Sequence, residues 1–303
     1  MKNLDLLTIA DSIAHEGIKA RKDVKQANIV IPKLPINDIQ EFNKAIGYPK
    51  HPATLIRSPI LDYQIEYMNM IFKNHRVILN KSRKIGATET ALRAICLNCY
   101  NGVYNGHNVI IVAGNRQDEA NVILERFNDL FVDGWRPDKK THITYEELVK
   151  SHKADRLILH SGVDIRTIPA NPRALRAQAN VKCVFFTEAA HINSLNDSKV
   201  WAAVRPIIAN DDMADIIVES TPAGHRGFFY DEYHKPNNGF EKKTFDYTYA
   251  LDKLITSEFI ERERRSLPKW LFSQEYEAKF VAGGTTAVDI SKLMRTDRPM
   301  LDL

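Results

Sequence analysis

Cysteine is scarce in this chain of 303 residues: there are three, Cys96, Cys99 and Cys183. A small odd number excludes a disulfide framework and fits a reducing compartment. Cys96 and Cys99 have the C-x-x-C spacing of zinc and redox sites, but no second pair or nearby histidine cluster completes a zinc shell. They read as small residues packed in a helix. Long apolar runs are also missing, and none approaches the roughly 20 residues a membrane helix needs. The N-terminus, MKNLDLLTIADSIAHEG, has neither the basic start nor the long apolar centre of a secretion signal. The chain is therefore expected in the cytoplasm, with no membrane partner. There is no internal repeat and no low-complexity segment. Neither sign of charge dominates: 42 Lys and Arg face 38 Asp and Glu, a net charge of +4. Acids accompany bases nearly everywhere, which permits contact with a polyanion without demanding it.

What is present suits a globular protein. Hydrophobic residues make up 44% and charged residues 26%, enough for one large domain or two small ones. Residues 4–25 read as an amphipathic helix ending in a basic stretch. Residues 29–59 carry Pro32, Pro35, Pro49, Pro52 and Pro59 and read as an irregular arm. A helix is expected over 61–72, with Ile65, Met68 and Phe72 on one stripe. The chain then alternates. Short β-branched runs lie at 76–80, 108–113, 181–186, 215–219 and 243–249, and 156–168 reads as a hairpin turning at Ser161-Gly162. Helices are expected up to about residue 100, over 118–131, and over 252–282, the last capped by Asp252 or Ser257. This is an α/β pattern with a mainly parallel sheet flanked by helices. Chemistry in such sheets collects at the C-terminal strand ends. The expected division is an N-terminal helix and arm (1–54), a core (55–250) and a C-terminal helical lid or linker (251–303).

After the first strand comes Asn80-Lys81-Ser82-Arg83-Lys84-Ile85-Gly86-Ala87-Thr88-Glu89-Thr90. A strand, a loop with a glycine and a hydroxyl, then a helix is the setting of a phosphate-binding P-loop (Walker A). Backbone N–H groups and the helix N-terminus bind phosphate there, and the hydroxyl holds magnesium. Gly86 and Thr88 fit the second half of G-x-x-x-x-G-K-[ST]. Lys81 stands at the first glycine and Ala87 at the lysine. A lysine opening the loop could reach the β- and γ-phosphates from the other side; Lys81 is the first candidate and Lys84 the second. Arg83 could stabilise charge building on the γ-phosphoryl group.

The run Cys183-Val184-Phe185-Phe186-Thr187-Glu188 reads as a buried strand with a polar end. A Walker B strand ends in Asp-Glu, the Asp for the magnesium shell and the Glu for the attacking water. Here Glu188 is in place as a general base. Thr187 replaces the Asp and can meet a magnesium-bound water without bringing charge. Taken alone, Glu188 also fits a carboxylate set at a helix start by the helix dipole.

In this order, the segments resemble the ATPase domain of phage terminase large subunits, over roughly residues 55–285. Leu61-Asp62-Tyr63-Gln64 resembles the family's adenine-reading segment. The loop 81–88 resembles the subset in which lysine opens the loop, K-S-x-x-x-G-x-[ST]. Asn171-Pro172-Arg173-Ala174-Leu175-Arg176-Ala177 resembles N-P-x-x-x-R-G, with Ala177 at the glycine. Thr187-Glu188-Ala189-Ala190-His191-Ile192 is similar to D-E-A-A-x-I. Glu219-Ser220-Thr221-Pro222-Ala223-Gly224 looks like the S-T-P-x-G coupling motif. FFYDEY (228–233) and FSQEYEAKF (272–280) resemble later signatures.

The resemblance implies a P-loop NTPase of the ASCE type that uses ATP and Mg²⁺ to drive double-stranded viral DNA into a capsid. Gln64 would read adenine. Lys81 would hold the phosphates together with the loop formed by Ser82, Lys84, Ile85, Gly86, Ala87 and Glu89. Thr88 would hold Mg²⁺, Thr187 would touch its water, Glu188 would position the attacking water and Arg83 would stabilise the transition state. Ser220 and Thr221 would sense the γ-phosphate. Arg173 and Arg176 would meet DNA or a neighbouring subunit's nucleotide, or serve as surface charges. The implied partners are duplex DNA held by its phosphates, a portal protein, the small terminase subunit and further copies in a ring at the capsid portal vertex in the host cytoplasm. The tail carries only Asp289, Asp297 and Asp302, so no nuclease activity is expected from this chain. Two other readings stay open: another DNA translocase or helicase, and a weakly active or inactive nucleotide- or DNA-binding subunit. The segment before Glu188 and the S-T-P-x-G text favour packaging over a helicase; Ala87 and Thr187 support the inactive subunit.

Overall fold

A computed structural model describes residues 39–51, 54–136, 138–193, 195–209 and 211–282. All of these belong to the compact unit Pro32–Leu303. The expected helix over 4–25 and the acidic tail positions lie outside the described residues.

The runs of Val, Ile and Phe form strands that are buried on both faces, as parallel strands covered by helices must be. They are β1 (Arg76–Lys81), β2 (Asn108–Ala113), β6 (Val181–Thr187) and β7 (Asp215–Ser220). With β3 (Val149–Lys153), β4 (Arg156–Leu159), β5 (Asp164–Ile168) and β8 (Glu241–Phe245) they build one eight-stranded sheet ordered β3-β4-β5-β2-β6-β7-β1-β8. The β5 to β8 side is parallel throughout, while β3–β4 and β4–β5 pair antiparallel. Strand β7 lies between β1 and β6, so the C-terminal ends of all three open on one edge.

The helices are α1 (Ile39–Ala45), α2 (Asp62–Lys73), α3 (Ala87–Tyr100), α4 (Gln117–Val132), α5 (Tyr145–Leu148), α6 (Pro172–Arg176), α7 (Asp197–Ile207), α8 (Gly227–His234), α9 (Ser257–Ser266) and α10 (Lys269–Glu275). On one face α7 and α8 close a core with Val184, Phe186, Val218, Val200 and Phe229. There Trp201 stacks on Phe228 at 4.8 Å between ring centroids. Each fully buried Val or Phe of this core contributes about 1.5–3 kcal/mol. On the other face α3 is buried at nearly every position, with Cys96 and Cys99 inside it as free thiols.

Local expectations are revised at five places. The proline-rich stretch contains α1, whose Phe42 meets Tyr100 and whose Asn43 accepts from Arg93 at 2.9 Å. Strand β3 was not foreseen, because VKSHK is a half-exposed edge without apolar alternation. Strand β8 ends at Phe245, and Tyr247–Ala250 turns as a 3₁₀ helix because the Asp246 side chain accepts from Thr248 N. The helix expected over 252–282 is two, separated at Pro268, which has no N–H to offer. The cap of α9 is Thr256, which accepts from Phe259 N at 3.2 Å; Asp252 instead accepts from the Ser257 hydroxyl at 2.9 Å.

Candidate active site

Strand β1 carries Lys81 out of the sheet, and the next residues are fixed one by one. Ser82 N donates to Phe245 O and Arg83 N to Glu275 O, both at 2.8 Å. Those two amides are therefore spent inside the protein and do not face a ligand. Tyr63 Oη donates to Ile85 O at 2.6 Å, and Gln64 Nε2 to the same oxygen at 3.3 Å. Gln64 Oε1 accepts from Leu61 N at 2.9 Å. Both ends of the Gln64 carboxamide thus brace the loop from α2. Lys84 at φ 59° and Gly86 at φ 73° turn the chain into α3. A Cβ at Gly86 would lie 2.7 Å from Gln64 Nε2, so only glycine fits without displacing the brace. Beyond the turn, the N–H groups of Gly86, Ala87 and Thr88 have no backbone acceptor among the described residues. Unpaired N–H groups at a helix start form an anion site.

Two strands away, β6 ends at Thr187, and Glu188 follows in the left-handed region at φ 53°. This turn aims the carboxylate back across β7, where its Oε1 accepts from Lys81 Nζ at 2.7 Å. The Lys81 side chain is 6% exposed and that of Glu188 is 45% exposed. The lysine is therefore held by the protein while the carboxylate faces a cleft of about 1630 Å³. The loop 81–89 and Thr187 line the same cleft. Burial raises the Glu188 pKa, but the Lys81 ammonium more than offsets it, with help from His191 and the Thr221 amide. The carboxyl is held below its usual range.

Behind Glu188 the segment is tied to β7. Ala190 N donates to Ser220 Oγ at 3.0 Å, and His191 Nε2 lies 2.7 Å from Thr221 Oγ1. Burial holds the His191 pKa below its ordinary value, against the pull of Glu188 and Glu275. Ser220 and Thr221 are fully buried and grip the Glu188 turn without lining the cleft. Thr187 Oγ1 donates to Glu219 Oε1 at 3.0 Å. Glu219 itself has no exposure, and burial pushes its pKa up despite Lys81 and the Thr88 and Thr187 hydroxyls.

The other expected residues stand apart from this core. Arg83 is exposed and paired with the Glu275 carboxylate. Lys84 is exposed, with Nζ 4.7 Å from the centre of the Phe259 ring on α9. Arg173 and Arg176 are exposed on α6 and do not line the cleft. Glu89 lines it but is tied to Arg93 at 2.8 Å. Sequence reasoning gave no role to Glu219, His191 or Glu275. For Glu219 a signal existed: an acid directly after the apolar run Ile216-Ile217-Val218, in a chain whose Thr187 stands where a Walker B acid is expected.

Residues 78–295 match the family described as "Terminase large subunit, T4likevirus-type, N-terminal". This chain belongs to the terminase large subunit family. Among solved structures, the HK97 bacteriophage large terminase is similar with a TM-score of 0.63 and 11% identity, covering 80% of this chain and 55% of that one. A large terminase from a thermophilic bacteriophage, in complex with ADP, is similar with a TM-score of 0.55 and 16% identity, covering 74% and 54%. The ATPase domain of the Thermus phage P74-26 large terminase aligns at 19% identity and a TM-score of 0.47, covering 71% and 93%. No curated protein matches the chain. The fold is thus the P-loop fold of the terminase ATPase domain. The chain spans about half the length of the HK97 terminase and of the ADP-bound one. Among its described residues no helix is long and apolar enough to cross a membrane, and no group of three or more His, Cys, Asp or Glu could hold a metal ion by itself.

Proposed function

We propose that this terminase domain hydrolyses ATP and uses the energy to move double-stranded viral DNA into a capsid. The observation that supports it most is the 2.7 Å contact between Lys81 Nζ and Glu188 Oε1, which joins loop and base across the cleft despite both motif departures. Lys81 supplies from the first loop position the charge that Ala87 cannot. The free amides from Gly86 to Thr88 receive phosphate oxygens at the start of α3. The ionised Glu188 accepts the proton of a water whose oxygen attacks the γ-phosphorus, and the bond to the bridging oxygen breaks to leave ADP.

A bound Mg²⁺ would neutralise the developing phosphate charge. The donor set fits such an ion, which takes oxygen ligands and keeps several waters beside phosphates. The Thr88 hydroxyl stands at the start of α3, and Thr187 and Glu219 stand beside it. Ser220 and Thr221 hold the Glu188 turn, so a shift of Glu188 with nucleotide state passes into β7. Gln64 braces the loop and has one amide hydrogen left with which to read a base. Arg83 reaches the transition state only by leaving Glu275.

Partners of the whole machine would be a portal protein, a small terminase subunit and further copies in a ring at the portal vertex. DNA would be held by its phosphates, with the exposed Arg173 and Arg176 as candidate contacts. Turnover of Mg·ATP with and without duplex DNA tests the reading. Stimulated phosphate release that disappears in Glu188→Gln is expected; tight nucleotide binding with no turnover in the parent refutes a motor and leaves a nucleotide-binding subunit.

A further inference from the structure

Thr187 leaves the end of β6 without the carboxylate that the metal shell of a P-loop ATPase uses. The sheet places another one strand closer to the loop. Strand β7 is buried at every position, and Glu219, in its interior, has no exposure at all. It pairs in register with Leu79 on β1, two residues before Lys81, while its neighbour Val218 pairs with Phe186 on β6. Val218 and Phe186 belong to the core under α7 and α8. Because strand side chains alternate, Glu219, Thr187 and Lys81 share the opposite face.

A buried carboxylate costs several kcal/mol unless its oxygens are satisfied. Only half of that requirement is met here. Oε1 accepts from Thr187, whereas Oε2 makes no well-formed hydrogen bond. Lys81 and the Thr88 hydroxyl both lie close enough to favour its charge. Tyr67, buried beside the same carboxylate, also has an unpartnered hydroxyl. An apolar residue would serve a purely structural strand better, so the site is built to receive something cationic or well hydrated next to Thr88.

We infer that Glu219 supplies the anionic oxygen of the Mg²⁺ shell that Thr187 cannot, and that Thr187 has become the positioning residue that orients it. The carboxylate has moved from the end of β6 to its neighbour β7, and the hydroxyl left behind points it at the loop. The inference rests on the nucleotide reading of the site, and its test separates the two.

Binding of a fluorescent ATP analogue is measured on the full chain, first in EDTA and then across a Mg²⁺ titration, with Mn²⁺ EPR in the presence of ATP as a second readout. In Glu219→Gln, affinity in EDTA should stay at the parent's value. Its half-saturating Mg²⁺ should rise about 10- to 100-fold, the cost of losing a metal's supporting carboxylate. The double variant Thr187→Asp with Glu219→Gln restores an acid at the strand end and should recover the parent's Mg²⁺ dependence, which a packing role for Glu219 would not permit. Tyr67→Phe should leave that dependence unchanged. An unaltered Mg²⁺ titration in Glu219→Gln overturns the inference while leaving the site reading intact. So does a folded double variant that is not rescued, or a Tyr67→Phe shift as large as that of Glu219→Gln. A parent that binds no nucleotide in either condition overturns both.

Discussion

Replacing Lys81 by Ala separates two lysines that the loop text offers for the same task. Lys81 is buried at the end of β1 with its ammonium on Glu188, and Lys84 is exposed against the Phe259 ring. A charged hydrogen bond to phosphate is worth about 1.5–3 kcal/mol. Part of that is already spent in the resting pair with Glu188. That pair is nearly half exposed on the acid's side, so it is worth only about 0–1 kcal/mol. The net loss of ATP affinity in Lys81→Ala is then about 0.5–3 kcal/mol, roughly 2- to 140-fold at 1.4 kcal/mol per decade. Lys84→Ala removes one exposed cation–π contact to Phe259 within the protein, so ATP affinity should stay near the parent's. Turnover should fall further in Lys81→Ala, by about 10²-fold, because a positioned charge is lost where the transition state builds its own. Titration with a fluorescent ATP analogue and steady-state phosphate release measure both quantities. The reasoning is refuted if Lys84→Ala loses more affinity than Lys81→Ala, or if neither variant weakens binding.

Three further outcomes follow from the same geometry. Glu188→Gln should lower turnover by about 10²- to 10⁴-fold while ATP still binds; single-turnover quench kinetics would expose residual chemistry. The Lys81 charge holds the Glu188 carboxyl below its usual range, so turnover should stay flat into mildly acid buffer and fall only as pH drops through that depressed value. In Lys81→Ala, burial is opposed only by His191 and the Thr221 amide, and the acid limb of the pH–rate profile should move to higher pH; an unmoved limb would show that Lys81 is not the cause. The stability sign is the same: the Glu188 contribution is present above its unfolded pKa and is lost as pH falls through the folded one. Arg93 is buried and bonds Glu89, Asn43 Oδ1 and the Gly47 carbonyl at 2.8, 2.9 and 3.0 Å. Arg93→Ala should cost about 3 kcal/mol and lower Tm by on the order of 10 °C, read by differential scanning calorimetry.

Most of the fold was legible because its central strands are buried on both faces and must be written almost wholly in Val, Ile and Phe. Residues 108–113 and 181–186 needed no partner to be recognised. Where burial was partial the text failed. Strand β3 is polar because it sits at an edge, and residues 246–250 look like strand yet turn because Asp246 caps them.

The order of the candidate site along the chain was likewise set by sequence alone: a loop with a glycine and hydroxyls after one strand, a carboxylate after another, a hydroxyl pair at the end of a third. Their meeting was not, because it depends on β7 lying between β1 and β6, and strand order is decided by long-range pairing that no local pattern encodes. Only the folded sheet brings Lys81 to Glu188 and leaves Glu219 buried with one unsatisfied oxygen. A strand's residues carry their own hydrophobicity, but the cost of burying a charge arises from the neighbours that remove its water.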